Sequence, residues 1–445
     1  MTAMWMLAAA TRRDPSLAWL QLTASAVTTV LSFGVAMLTA AFLRVPSDEI
    51  GYPVLAIVLV GFVFVPLATL GTATARLTAR SRDDRLATLR LLGVSAARVR
   101  RTALAEATLI AAIGIAAGTA VSLALPFALS ALTIYGQPST PSAFALPIAV
   151  RAVIPIALTV IAMGSAMAGL RRVTISPLGV RIRRDAPRLS WLRIVLGAAV
   201  IVGAALLTQV VSPEWGLAVV FVVLALAVLA VMGVLGLVGP WIVATTARIR
   251  ARRTSDGARL IAMRSIADDP KASWRQVSAI ALTSFIMVPA VAMMGYLDVI
   301  RASDSREIMT DDQLLMFADA RTMLLSAIVI AFLVAGCQVA ITQSAAVLER
   351  RELFVALDRL GIPRGALMRM RREEVMMPAF VAVAGSAAAA SLLSFVLVLM
   401  MLIMSPISSA TLVLLLAAGI LMLLTGVSIT RPVLLRVLTA PERGE

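Results

Sequence analysis

Apolar positions fill long stretches of this chain, and polar positions gather in short intervals between them. Ten apolar runs are long enough to form helices: 17–42, 54–75, 107–132, 146–170, 194–211, 217–243, 277–297, 322–346, 375–404 and 409–429. A helix needs about 20 apolar residues to cross the hydrocarbon core of a bilayer, so each run is read as a crossing. The first run is too long for the core of a signal peptide and lacks a small-residue cleavage site. In two of the polar intervals the pattern changes to helical periodicity. Leu86, Leu89 and Leu92 recur at that spacing in 82–92, as do Leu353, Leu357 and Leu360 in 350–360.

These two amphipathic intervals are copies of one unit. A shift of 268 residues lays Leu86 on Phe354, Leu89 on Leu357, Leu92 on Leu360, Gly93 on Gly361 and Glu106 on Glu374. In each copy the glycine ends the short helix, because it tolerates the left-handed conformation just past a helical C-terminus. An arginine-rich run follows, and then a glutamate, Glu106 or Glu374, at the mouth of the next apolar run. The layout is an internal duplication. Residues 1–170 form the first four-helix repeat, 171–275 a linker with a helical hairpin and basic loops, and 276–445 the second repeat. The expected fold class is all-α: a polytopic integral membrane protein with ten crossings arranged 4+2+4. Both amphipathic units fall on the same side, which makes the repeats parallel rather than inverted.

Charge gives the orientation. Of 40 basic residues, only Arg44, Arg151, Arg301, Arg306 and Arg321 lie outside the termini and the four loops that follow even-numbered crossings. Acidic residues outnumber those five on their side. The basic side is therefore expected to be cytoplasmic, with both termini on it. The net charge of +16 is accounted for by this bias and by attraction to anionic lipid, which leaves nothing for a nucleic-acid partner to explain. Composition removes other classes. The chain is 60% hydrophobic and has no histidine, which excludes His-based acid–base or nucleophile chemistry and the usual zinc sites. Cys337 is the single cysteine and sits in an apolar run, so no intramolecular disulfide forms. The one lysine, Lys271, has no glycine loop before it, so the chain carries no Walker A motif and needs a partner if ATP drives it. Arginine in place of almost all lysine suits a GC-rich bacterial genome.

The unit of amphipathic helix, Leu-Gly, arginine run and glutamate resembles the FtsX/MacB-type permease domain of ABC transporters. The residues that carry it are Leu89-Arg90-Leu91-Leu92-Gly93 with Glu106, and Leu357-Asp358-Arg359-Leu360-Gly361 with Glu374. Two four-helix domains joined by a helical hairpin are similar to BceB-like and duplicated FtsX-like permeases. The resemblance implies a non-catalytic membrane subunit with no cofactor of its own, ATP and Mg being held by a cytoplasmic ABC ATPase dimer. It implies that Arg85, Leu86, Leu89, Arg90, Leu92 and Gly93 dock on one ATPase subunit. Leu353, Phe354, Leu357, Asp358, Leu360 and Gly361 would dock on the other. It places the chain in the cytoplasmic membrane of a bacterium and favours export. The first outer loop of each half, 44–53 and 298–320, is too short for the large domain often found there in the family.

Other readings compete at particular residues. The amphipathic units also suit interfacial helices lying on lipid. Glu106 and Glu374 suit carboxylates at helix N-termini. Gly114 and Gly118 form a small-xxx-small pair for close helix packing, with Gly385 and Ala389 as a weaker second version. Arg151 suits snorkelling to headgroups, and the acidic stretch 298–320 a solvated loop. For the whole chain the alternatives are an ion-coupled secondary transporter or a non-transporting signalling protein. The apolar midplane regions hold almost no charge for ion coupling. The substrate, whether small molecule, lipid or peptide, is not encoded in any recognisable motif; the short loops favour a lipophilic one.

Overall fold

A computed structural model describes residues 15–46, 51–80, 95–174, 192–210, 217–302, 310–349, 359 and 361–429. The chain is a multi-pass helical membrane protein. Among the described residues, eight helices are long and apolar enough to cross a membrane, and shorter apolar helices occur at Gly51–Gly61, Val195–Val210 and Phe395–Met404.

The first compact unit comprises residues 1–184 and 310–341. It contains α1 (Pro15–Leu43), α2 (Gly51–Arg80), α3 (Ala96–Ser122), α4 (Leu125–Leu129), a miniature hairpin of β1 (Thr133–Ile134) and β2 (Gln137–Pro138), and α5 (Ile148–Thr174). The second unit comprises residues 185–309 and 342–445. It holds α6 (Leu192–Val210), α7 (Leu217–Arg253), α8 (Gly257–Asp268) and α9 (Pro270–Ala302). After α10 (Asp311–Glu349), which belongs to the first unit up to Ile341, it continues with α11 (Arg364–Leu393), α12 (Phe395–Met404) and α13 (Pro406–Ile429).

Within the first unit α1 packs most extensively against α3 and α2, and α5 covers α2 and α3. Within the second, α9 packs most extensively against α11. Its apolar window is 78% buried, whereas none of the α5 window is, so α9 is the enclosed spine and α5 an outer helix. Lipid is as apolar as leucine, so helices associate there through close packing rather than expulsion of water. The α1–α3 contact shows how. A Cβ placed on Gly114 would lie 2.5 Å from the Leu22 carbonyl oxygen, and one on Gly118 would lie 2.5 Å from that of Ala26. Only glycine lets these backbones come so close. The expected second version is different. Gly385 faces open space, whereas Ala382 and Ser386, which the 268-residue shift lays on Gly114 and Gly118, are among the fully buried positions of α11.

Several helices run past the limits that hydropathy suggests. α3 begins at Ala96 and α11 at Arg364, so the arginine runs lie inside helices and Glu106 and Glu374 are about three turns in. The reading of these glutamates as N-terminal carboxylates therefore fails. The reason is physical: hydropathy marks where lipid begins, while arginine is a good helix former and continues the ladder into the polar zone. The basic interval between α7 and α9 is likewise no plain loop, because α8 occupies most of it. Its N-cap Asp256 accepts a hydrogen bond from the Ala258 N–H at 3.1 Å.

The acidic stretch is also corrected. Asp298 belongs to α9, and Asp311, Asp312 and Asp319 to α10. Thr310 and Gln313 form a reciprocal capping box: the Gln313 N–H donates to Thr310 Oγ1 at 3.3 Å, and the Thr310 N–H to Gln313 Oε1 at 3.4 Å. Asp311 and Asp312 then suit the positive end of the helix dipole.

Gly118→Ala is expected to cost about 1–3 kcal/mol through overpacking against α1. Gly164→Ala on α5, where a Cβ meets nothing within 4 Å, is expected to be neutral or slightly stabilising. Thermal unfolding in detergent separates the two; equal midpoints would show that the α1–α3 approach is not close.

Candidate functional site

Among the described residues, buried charged side chains interrupt the apolar packing at one place in each unit. In the second unit the cluster lies at the arginine-rich end of α11. Gly361 takes φ +80°, a conformation glycine adopts without steric cost, and α11 starts after Pro363. Arg371 is 4% exposed and Glu374 7% exposed, so both have left the solvent. They stand three residues apart on one helix and so share a face, where opposite charges attract. The hydroxyl of Ser265, on α8, donates to Glu374 Oε1 at 2.6 Å. Arg371 Nη2 donates to the backbone carbonyl of Gln343, near the end of α10, at 3.1 Å. Arg371 Nη1 and Gln343 Nε2 are buried without an acceptor among the described residues. An unsatisfied buried donor costs roughly 1–3 kcal/mol, so the guanidinium is enclosed but incompletely held. Nearby, Arg259 Nε and Glu373 Oε1 form an ion pair at 3.0 Å. The arginine side chain is 58% exposed, so this pair contributes at most about 1 kcal/mol.

In the first unit the cluster joins α2, the hairpin and the start of α10. Tyr135 and Gly136 are the two turn residues between β1 and β2, with φ of +54° and +70°. Positive φ at both positions is the type I′ pattern that matches the twist of a two-residue hairpin. This turn aims the Tyr135 N–H at Asp319, to Oδ2 at 2.9 Å and Oδ1 at 3.1 Å. The Tyr52 hydroxyl donates to Asp319 Oδ2 at 2.9 Å, and the Tyr135 hydroxyl to Asp312 Oδ1 at 2.6 Å. The two rings meet edge to face with centroids 6.3 Å apart. Asp319 is 2% exposed, and these donors replace the water it has lost. The hydrogen bond to Asp312 raises the Tyr135 phenol above its ordinary value, with desolvation and the Asp312 charge adding to it.

Most residues expected to dock an ATPase lie outside the described residues: Arg85, Leu86, Leu89, Arg90, Leu92 and Gly93, and Leu353, Phe354, Leu357, Asp358 and Leu360. Of that set only Gly361 is described, and it is exposed. Glu106 is half-buried in the first unit and Glu374 buried in the second. Sequence reasoning missed Tyr52, Tyr135, Asp319, Gln343, Arg371 and Ser265. One signal was available: a Tyr-Gly pair between two short extended dipeptides marks a two-residue turn. No family model matches the chain, and a search of curated proteins found no match.

Replacing Asp319 with alanine orphans the Tyr52 hydroxyl and the Tyr135 N–H, with an expected loss of about 2–4 kcal/mol in a denaturation series. An unchanged midpoint would mean the cluster adds nothing to stability. Tyr135 is neutral below its raised value, so its bond to Asp312 is kept through neutral pH and lost only as pH rises past that value. Asp312→Asn is expected to lower the Tyr135 ionisation midpoint in an ultraviolet difference titration. A midpoint that stays put or rises would contradict the assigned cause.

Proposed function

We propose that this chain is the membrane-spanning permease subunit of an ABC transporter of the FtsX/MacB type. It crosses the cytoplasmic membrane of a bacterium ten times in a 4+2+4 order, with two parallel repeats and the arginine-rich ends inside. A separate ATPase dimer binds segments 82–92 and 350–360, and its closure on ATP drives export, or conformational signalling, of a lipophilic or amphiphilic substrate. The observation that carries this reading is a shared register. The same shift of 268 residues aligns the two amphipathic segments, the starts of α3 and α11, and Glu106 with Glu374. In addition, α3 and α11 each pack most extensively on the first long helix of their own repeat, α1 and α9.

An ion-coupled transporter would need a buried group free to titrate. Asp319 and Glu374, the buried carboxylates among the described residues, are both hydrogen-bonded. They read as structural connections.

The test is affinity purification from the native host in mild detergent, with Leu89→Asp and Leu357→Asp as variants. An ATPase is expected with the wild type and is expected to be lost in the double variant, while the membrane protein remains monodisperse. A wild type that brings down no ATPase in several detergents would overturn the assignment.

A further inference from the structure

Arg371 and Gln343 leave two donors to be accounted for. Both residues belong to the second unit, and Gln343 is even more deeply buried than Arg371, at 1% exposed. Arg371 Nη2 donates to the Gln343 backbone carbonyl at 3.1 Å, so the guanidinium and the amide belong to one contact. Arg371 Nη1 and Gln343 Nε2 are enclosed there without an acceptor among the described residues. An enclosed donor left unpaired costs more than an ordinary hydrogen bond contributes, and a charged one costs more still.

The chemistry of the two groups narrows what fills the place. Both are N–H donors, one cationic and one neutral, a set that suits an anion and repels a metal ion. Both nitrogens are shut off from solvent, which limits the occupant to about the size of a water and leaves out a phosphate or a lipid headgroup. Arginine and glutamine are long, rotatable side chains and make room for one such atom by small torsional changes. A water fits poorly. It accepts from both donors, yet a buried water typically makes about three hydrogen bonds, and its own hydrogens then need acceptors. The surrounding charge points the same way. Residues 364–374 carry Arg364, Arg369, Arg371 and Arg372 against Glu373 and Glu374. Of these carboxylates, Glu373 pairs with Arg259 at 3.0 Å and Glu374 takes the Ser265 hydroxyl at 2.6 Å, so each has an oxygen committed to α8.

We propose that Arg371 and Gln343 form a site for a small monatomic anion, chloride being the abundant example, held by Nη1 of the guanidinium and Nε2 of the amide between α10 and α11. The ion supplies the acceptor that both donors lack and thereby stabilises the second unit. Neither an ATPase partner nor a substrate enters this reading, so it stands or falls separately from the proposed function.

The experiment is thermal unfolding of the full-length protein in detergent, with sodium chloride titrated against sodium gluconate at constant total salt. A saturable rise of about 3 °C in the wild-type midpoint is expected. Arg371→Met is expected to abolish the rise. Gln343→Leu, which removes the amide donor and keeps the backbone carbonyl, is expected to lose most of it. Arg372→Met, at an exposed position on the same helix, is expected to keep it in full. Bromide is expected to replace chloride, and its anomalous scattering from a wild-type crystal is expected beside Arg371; this decides the matter should either variant fail to accumulate. A wild-type midpoint indifferent to chloride overturns the proposal: the donors are then met by water, or by a Gln343 amide turned so that Oε1 accepts from Nη1. A rise that survives in Arg371→Met or in Gln343→Leu is a general salt effect and overturns it as well, as does a bromide signal absent from this place.

Discussion

Lipid offers no hydrogen bonds and no hydrophobic drive between helices, and the structure depends on how it meets that constraint. The long helices satisfy most of their own backbone, interrupted at the interior prolines Pro155, Pro240, Pro289 and Pro378, so affinity between helices comes from how closely they approach. Gly114 and Gly118 bring α3 against the carbonyls of Leu22 and Ala26 on α1. In the second unit the matching positions are Ala382 and Ser386, both fully buried on α11. Small residues, rather than glycine itself, stand at these places. Since α5, with none of its window buried, faces outward while α9 is enclosed, the two units use the same pairing with different degrees of cover.

On this apolar packing the chain places few buried polar groups, and it places them unequally. The first unit has its cluster around Asp319, saturated by the two tyrosines and fixed by a hairpin turn. The second has its cluster around Arg371, where two donors stay idle. The contrast has consequences. A saturated cluster resists rearrangement, because each lost bond leaves a buried group unpaired. An unsaturated one is already short of partners and loses less by shifting.

The fold class was legible because a stretch of twenty apolar residues has only one structural use in lipid. Helix ends were not, because hydropathy reports the solvent around a helix and not the continuity of its hydrogen bonds. Thus α3 and α11 begin about three turns before their apolar runs, and α8 rises from what reads as a basic loop. The capping box at Thr310 and Gln313 was visible in principle, yet the acidic residues around it read more readily as a solvated loop. The polar clusters were hidden for a different reason. Tyr52 and Asp319 are separated by 267 residues, and no local pattern links them. Arg371 was one arginine in a run whose neighbours, Arg369 and Arg372, are exposed. Burial alone distinguishes it.

The central claim is that a partner ATPase engages both amphipathic segments of this chain. A cryo-electron-microscopy reconstruction of the protein, purified gently from its host with a non-hydrolysable nucleotide, addresses it most directly. The expected density is a nucleotide-bound ATPase dimer seated on segments 82–92 and 350–360, one segment per subunit. Both segments lying along the detergent belt, with no protein beneath them, would contradict the claim.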